Sequence, residues 1–260
     1  MIRAILCCYY TAPAQMLARA TRLFSGWKDV RFDIYSTNPA HAKLAHPGVA
    51  CHSVANEFND FSSYMQACRE LVGSDREHSD GGAYVFLNDT LFTRHPSRLL
   101  LRLLARTLST VRSSEFPVLT GRADSYRTLL QTSPFAPGLD QYVSTFLFAT
   151  NRAGVDLLHG LFTAQRTLDM MRSAASLERG AIPEKFFAFL QLHMTSEETR
   201  FSWPGVKSGS DAGRKAVCVL LEHLLSAHFF EKGFICPLNS SPLLDVLLWG
   251  AYKAYRGGAP

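Results

Sequence analysis

No apolar run in this chain approaches the ~20 residues that a helix needs to cross a bilayer, which excludes a helical membrane-spanning protein. There is no Lys/Arg run and no basic low-complexity tail, which argues against a dedicated DNA- or RNA-binding module. None of the six cysteines stands in a C-x-x-C pair. Cys7, Cys8, Cys51, Cys68, Cys218 and Cys236 mostly lie within apolar runs and lack the ligand spacing of a zinc site. Buried thiols in a reducing compartment are the simplest reading. At the start, only Arg3 precedes the short stretch Ala4-Ile5-Leu6-Cys7-Cys8, too little for a secretory signal. These absences point to a cytoplasmic protein.

Familiar catalytic signatures are also missing. There is no G-x-S-x-G elbow, no G-x-x-x-x-G-K-[ST] phosphate loop, no G-x-G-x-x-G after a strand and no H-E-x-x-H. His223 and His228 share a helix but not a face. A phosphate-bearing ligand would therefore be held by a metal, by arginines and by loop amides. No internal repeat is visible.

The 260 residues suffice for one large α/β domain or two small ones, and they can bury a sizeable core. With 47% apolar and 19% charged residues the chain is not disordered. Its net charge of +5 favours phosphate-bearing ligands or an anionic membrane surface without demanding nucleic acid.

The stretch Gly81-Gly-Ala-Tyr-Val-Phe-Leu-Asn-Asp-Thr-Leu-Phe92 opens on two glycines and runs through four apolar residues into Asn88-Asp89-Thr90. A continuous apolar run bounded by turn signals reads as a buried strand. The triplet then sits at the strand's carboxyl end, where open α/β sheets bind ligands. A carboxylate there can hold a hard divalent cation, which in turn holds phosphate oxygens. Asn-Asp-Thr is equally good turn and cap chemistry.

Upstream, residues 2–10 read as a strand, 14–24 as a helix, 30–35 as a strand ending in Ser36-Thr37-Asn38-Pro39, 49–54 as a short strand and 58–71 as a helix. That rhythm predicts a mostly parallel sheet. Residues 97–112 read as a leucine-filled helix that Ser97 can cap, with Arg98, Arg102 and Arg106 on one stripe, either a solvated face or an anion contact. Residues 116–120 read as a strand ending in Gly121-Arg-Ala-Asp124, and 141–150 as a β-branched, aromatic strand. From Phe162 onward the chain reads as mostly helical. A short helix is expected at 183–193, a polar loop at 197–213, a buried helix at 215–232 with one polar strip of Lys215, Glu222 and Ser226, and a last helix from Ser241-Pro242. A carboxylate such as Glu222 in an apolar helix needs a partner or a function. The last helix carries leucines, interfacial aromatics and basic residues, which suit core docking or a monotopic membrane contact.

Three stretches together resemble bacterial cell-surface polysaccharide glycosyltransferases of the rhamnan-synthesis and capsule-synthesis type. They are Tyr84-Val-Phe-Leu-Asn-Asp-Thr-Leu-Phe92, Gln141-Tyr-Val-Ser-Thr-Phe-Leu-Phe-Ala-Thr-Asn151, and Leu221-Glu-His-Leu-Leu-Ser226 through Glu231-Lys-Gly-Phe234. Two positions depart from that family's pattern. Gly121-Arg-Ala-Asp124 replaces an aromatic-Gly-Leu-Thr element, and Asn-Asp-Thr replaces Asp-x-Asp, so dependence on Mn²⁺ or Mg²⁺ stays open.

The resemblance implies a GT-A-like α/β fold, with a single Rossmann-like, mostly parallel sheet flanked by helices and a helical C-terminal part. Residues 1–160 would bind a nucleotide-diphosphate sugar, and residues 161–260 of the same domain would take the acceptor, a glycan or lipid-linked chain of a lipopolysaccharide O-antigen or capsule. Asp89 would stand where the family binds a metal or the donor's sugar-phosphate, with Asn88 beside it. Tyr9, Tyr10, Thr11, Ser36, Thr37 and Asn38 would line the nucleotide side. Arg122, Asp124 and Ser144 would face the donor or acceptor sugar, and Glu222 would be the base. The protein would be cytoplasmic and able to sit at the inner membrane, and Asp89→Ala would abolish transfer without unfolding. A non-catalytic subunit of the same fold, docking a partner synthase or the membrane, is the rival reading. A nucleotidyltransferase is the third, but Cys7-Cys-Tyr-Tyr-Thr-Ala-Pro13 lacks the glycine- and lysine-rich phosphate loop it would need.

Overall fold

A computed structural model describes residues 1–41, 46–74, 82–126, 130–195, 210–239, 243–244, 246–247 and 250–251. Seven strands form one sheet: β1 (Ile2–Cys8), β2 (Val30–Ser36), β3 (Ala50–Ser53), β4 (Ala83–Asn88), β5 (Val118–Ser125), β6 (Gln141–Thr150) and β7 (Phe234–Pro237). Their order across the sheet is β3-β2-β1-β4-β6-β5-β7. β6 alone runs against its neighbours; the other pairings are parallel. The described helices are α1 (Pro13–Leu23), α2 (Asp60–Ser74), α3 (Thr90–Arg94), α4 (Ser97–Ser113), α5 (Arg152–Thr163), α6 (Gln165–Ala175), α7 (Glu184–Thr195) and α8 (Ser210–Lys232). This is the α/β class expected: a mostly parallel sheet flanked by helices, with a mainly helical C-terminal part.

The central strands are buried on both faces, as their unbroken apolar runs require. Alternate residues of β1 feed two separate cores. Ile5 and Cys7 pack with α2, α5, α6, α7 and α8. Ala4, Leu6 and Cys8 pack with α1, α3 and α4 on the opposite face. α4 buries Leu100, Leu101, Leu103, Leu104, Leu108 and Val111 and turns Arg98, Arg102 and Arg106 to solvent. α8 buries residues around most of its circumference, as its composition predicted.

Several local expectations are corrected. Ser97 is the first residue of α4 rather than its cap; Pro96 takes the cap position and no side chain bonds there. β5 does not stop at Thr120 but continues through Gly121, Arg122, Ala123 and Asp124. Ladder bonds from β6 on one side, and on the other β7 as far as Gly121 and then the Asn239 side chain bonded to the Ala123 backbone, outweigh a turn-like local composition. Gly121 is the residue that permits this, because a Cβ there would lie 2.4 Å from Val143 Cγ1. Residues 234–237 fall where the chain reads as mostly helical; they form β7, an edge strand ending in Pro237, where a missing donor costs little. Thr90 starts a one-turn helix, and α8 begins at Ser210 instead of 215. Ser241, Pro242 and residues 197–209 lie outside the described residues, so the start of the last helix and most of the expected loop are not placed; within the expected last helix Leu243, Leu244, Val246, Leu247, Gly250 and Ala251 are helical. All six cysteines are free thiols, with Cys7, Cys8 and Cys68 buried. Among the described residues no helix is long and apolar enough to cross a membrane.

Candidate functional site

The carboxyl ends of β1, β2 and β4 meet beside the start of β6, and the expected site residues collect there in two groups. The first is built on the strand tips. Cys7 O accepts the Asp89 N–H at 3.2 Å and Cys8 O accepts the Thr37 N–H at 3.0 Å, so the chain leaves the three strands in step. Asp89 is 1% exposed, and its Oδ2 accepts three successive backbone N–H groups, from Tyr9 (3.0 Å), Tyr10 (2.6 Å) and Thr11 (2.8 Å). Convergent amides of this kind form an anion nest, and the anion that fills it is Asp89. Its other oxygen, Oδ1, is buried and has no hydrogen-bond partner among the described residues.

Around this anchor, Asn38 Nδ2 donates to Tyr9 O at 2.8 Å, and Ser36 Oγ lies 2.7 Å from His41 Nδ1. Asn88 Oδ1 accepts from Thr90 Oγ1 at 2.5 Å, while Asn88 Nδ2 donates to Asp60 Oδ2 at 2.7 Å. The Tyr10 ring stands 73% exposed above these tips. Tyr9, Tyr10, Thr11, Asn38, Asn88 and Asp89 are thus brought together. Ser36 and the buried Thr37 adjoin them and serve mainly to tie β2 to β1.

The second group is built on an irregularity of β6. Gly121 pairs with Phe148 and Ala123 with Val143, so the single residue Arg122 stands opposite residues 144–147. A bulge of this kind re-aims side chains and is frequent beside active sites. Ser144 Oγ donates to Asp124 Oδ2 in a short hydrogen bond, and Arg122 Nη2 lies 3.0 Å from Asp124 Oδ1. One residue on, the freed Thr145 N–H donates to Glu222 Oε1 at 2.7 Å, and Thr145 Oγ1 approaches the same oxygen at 3.3 Å. Glu222 Oε2 makes no hydrogen bond to the described residues. Arg122, Asp124, Ser144 and Glu222 therefore share one corner of the site.

Two residues join the groups without having been singled out as site residues. Asp60 opens α2, directly after Asn59, whose left-handed backbone (φ 50°) sets the helix start. Lys215 stands on α8 two turns before Glu222. Burial raises the Asp60 carboxyl to about 6, with the nearby Asp89 charge adding to the rise; Lys215 and the Asn88 amide pull it back. Burial raises Glu222 to about 7 against the opposing pull of the Thr145 N–H and Lys215, while Asp124 adds to the rise. Lys215 is therefore close enough to act on both acids. In the sequence, Asp60 carried one usable signal: it is the acid that opens the helix following the third strand, on the side where ligands bind.

Among the described residues no group of three or more His, Cys, Asp or Glu could hold a metal ion. A cage built by the protein alone does not fit these residues. One or two carboxylates sharing a cation with substrate phosphates do fit, since Asp89 Oδ1 is unpartnered and Asp60 is electrostatically coupled to Asp89.

No family model matches this chain, and no curated protein matches it. Among solved structures it is similar to the 2-C-methyl-D-erythritol 4-phosphate cytidylyltransferase of Francisella tularensis, with a TM-score of 0.36 and 11% identity over 62% of this chain and 76% of that one.

Proposed function

We propose that the protein is a glycosyltransferase that moves a sugar from a nucleotide-diphosphate donor to a growing surface glycan, such as a lipopolysaccharide O-antigen or capsule. The observation that carries this reading is Glu222. It is a carboxylate at the ligand-binding edge of the sheet, fixed through Oε1 by the Thr145 N–H, with its pKa raised to about 7 and Oε2 uncommitted among the described residues. A base works best when its pKa lies near the working pH.

In this reading Glu222 Oε2 takes the proton of an acceptor hydroxyl as that oxygen attacks the anomeric carbon of the donor sugar. The bond to the diphosphate breaks, and the nucleoside diphosphate leaves with the electron pair. A single displacement of this kind inverts the anomeric carbon. Asp124, Arg122 and Ser144 orient hydroxyls of the reacting sugars beside the base. Tyr9 to Thr11 and Asn38 form the nucleotide side, held in shape by Asp89. A divalent cation, Mn²⁺ or Mg²⁺, would be held by Asp89 Oδ1 and Asp60 together with the diphosphate, and would neutralise charge on the leaving group. The exposed arginines of α4 and the exposed Leu243, Val246 and Leu247 suit contact with an anionic membrane carrying a lipid-linked acceptor.

The same α4 face supports the second reading, a non-catalytic subunit that docks a synthase or the membrane. Release of nucleoside diphosphate from a panel of sugar nucleotides separates the two. Turnover that Glu222→Gln abolishes supports the enzyme. Thermal stabilisation by a sugar nucleotide with no release under any condition supports the binding subunit.

A further inference from the structure

Away from Asp89 and Glu222 there is a half-open cavity of about 390 Å³ where α8 ends. Its position follows from how α8 lies on β6. Thr145 meets Glu222, Val143 donates its N–H to Ser226 Oγ at 2.9 Å, and the next contact in the same direction is the cavity between Gln141, Tyr142 and Phe230. The eight steps from Glu222 to Phe230 rise roughly 12 Å along the helix at 1.5 Å per residue.

The lining is unusual for a surface recess. Phe230 is 45% and Phe234 37% exposed, yet both line one cavity that Tyr142 also lines. Between the two phenylalanines the chain passes hard against Pro117 at Gly233, where a Cβ would lie 2.2 Å from Pro117 O. At the rim, the side chains of Asp140 and Gln141 are exposed and make no hydrogen bond to the described residues. The volume lies in the range of small-ligand sites, which combine apolar and aromatic walls with a few polar groups.

We propose that this cavity binds carbohydrate, taking one or two sugar rings of a neutral glycan. A pyranose ring presents a face of C–H groups and a perimeter of hydroxyls. Phe230, Phe234 and Tyr142 cover the first, while a carboxylate acceptor and an amide that both donates and accepts serve the second. Glucan, mannan or galactan chains share that chemistry. The affinity for sugar stands on the cavity alone. Its role as a distal acceptor subsite, holding a glycan whose growing end reaches Glu222, rests on the glycosyltransferase reading.

The experiment is saturation-transfer NMR on the full chain with gluco-, manno- and galacto-oligosaccharides of three to six residues. At least one series should show transfer to ring C–H protons, with Phe230→Ala and Gln141→Ala each weakening binding at least tenfold. Both residues are exposed, so these variants should keep the wild-type melting temperature and the wild-type thermal shift with sugar nucleotides. No transfer to any oligosaccharide, or binding indifferent to both substitutions, overturns the proposal. Oligosaccharide binding without any sugar-nucleotide shift would uphold the cavity and sink the glycosyltransferase reading. The reverse pattern would sink the cavity alone.

Discussion

The carboxylate of Asp89 holds the backbone N–H of Tyr10 at 2.6 Å, with the neighbouring amides of Tyr9 and Thr11 on the same oxygen. The acid expected at the reaction centre is thus also the anchor of the β1–α1 loop. Asp89→Ala would leave three amides without their acceptor, at a cost on the order of 3 kcal/mol. We therefore expect a lowered melting temperature together with lost nucleotide binding, in place of the clean loss of transfer expected from the sequence. Asp89→Asn keeps an acceptor oxygen without the charge and should fall between the two. Thermal unfolding of both variants checks this; an Asp89→Ala protein as stable as wild type would remove the anchor role.

Glu222→Gln should separate activity from stability. The Gln oxygen can still accept the Thr145 N–H, but the base is gone. Turnover should drop by about 10²–10⁴-fold, with KM for the donor little changed. The charged form of Glu222 is disfavoured by burial, so the variant should be as stable as wild type at pH 8 or more so. A variant that loses stability and keeps its rate would make Glu222 a structural residue.

The pH dependence combines opposite signs. Glu222 rises from an ordinary 4.5 to about 7 and Asp60 from 3.8 to about 6. Between those values the folded state keeps protons that the unfolded state has lost, so both groups make stability fall as pH rises towards 7. His223 is 1% exposed against Tyr126, and burial lowers it from 6.5 to about 3. Below about 6.5 the unfolded chain takes up a proton that the folded chain refuses, so stability falls as pH falls. Two acids outweigh one histidine above about pH 4, so melting temperature should decline on both sides of an optimum at about pH 4. Glu222→Gln should flatten the upper limb and His223→Gln the lower one. Turnover should rise with pH through about 7, as the base ionises. Rates that rise on acidification would contradict this.

Cation and nucleotide should stabilise the protein only together. Asp89 Oδ1 and Asp60 offer too few ligands for a resident ion, but enough for one that arrives with a diphosphate. Mn²⁺ alone should leave the melting temperature unchanged. A sugar nucleotide should raise it, more so with Mn²⁺, and Asp60→Asn should erase the difference. A large shift with Mn²⁺ alone would point to a complete protein-built site.

The sheet and most helices were legible because their signals are local: continuous apolar runs bounded by turn residues, and leucines at helical spacing. The strand-end positions of Asp89 and Ser36 to Asn38 followed from the same pattern, as did the exposed arginine stripe of α4. What the residues could not reveal was which partners meet. β5 continues through a turn-like Gly-Arg-Ala-Asp only because β6 pairs with it and the Asn239 side chain holds Ala123 from the other side, and Thr145 turns its N–H to Glu222 only because β6 bulges opposite Arg122. Asp60 joins the site through Asn88 and Lys215, from segments far apart in the chain. Composition and periodicity determined the layers of this protein, since burial of one face or stripe is a property of a segment. Its site was decided by tertiary structure, since the desolvation and hydrogen bonding that tune Glu222, Asp60 and Asp89 exist only once remote strands and helices enclose them.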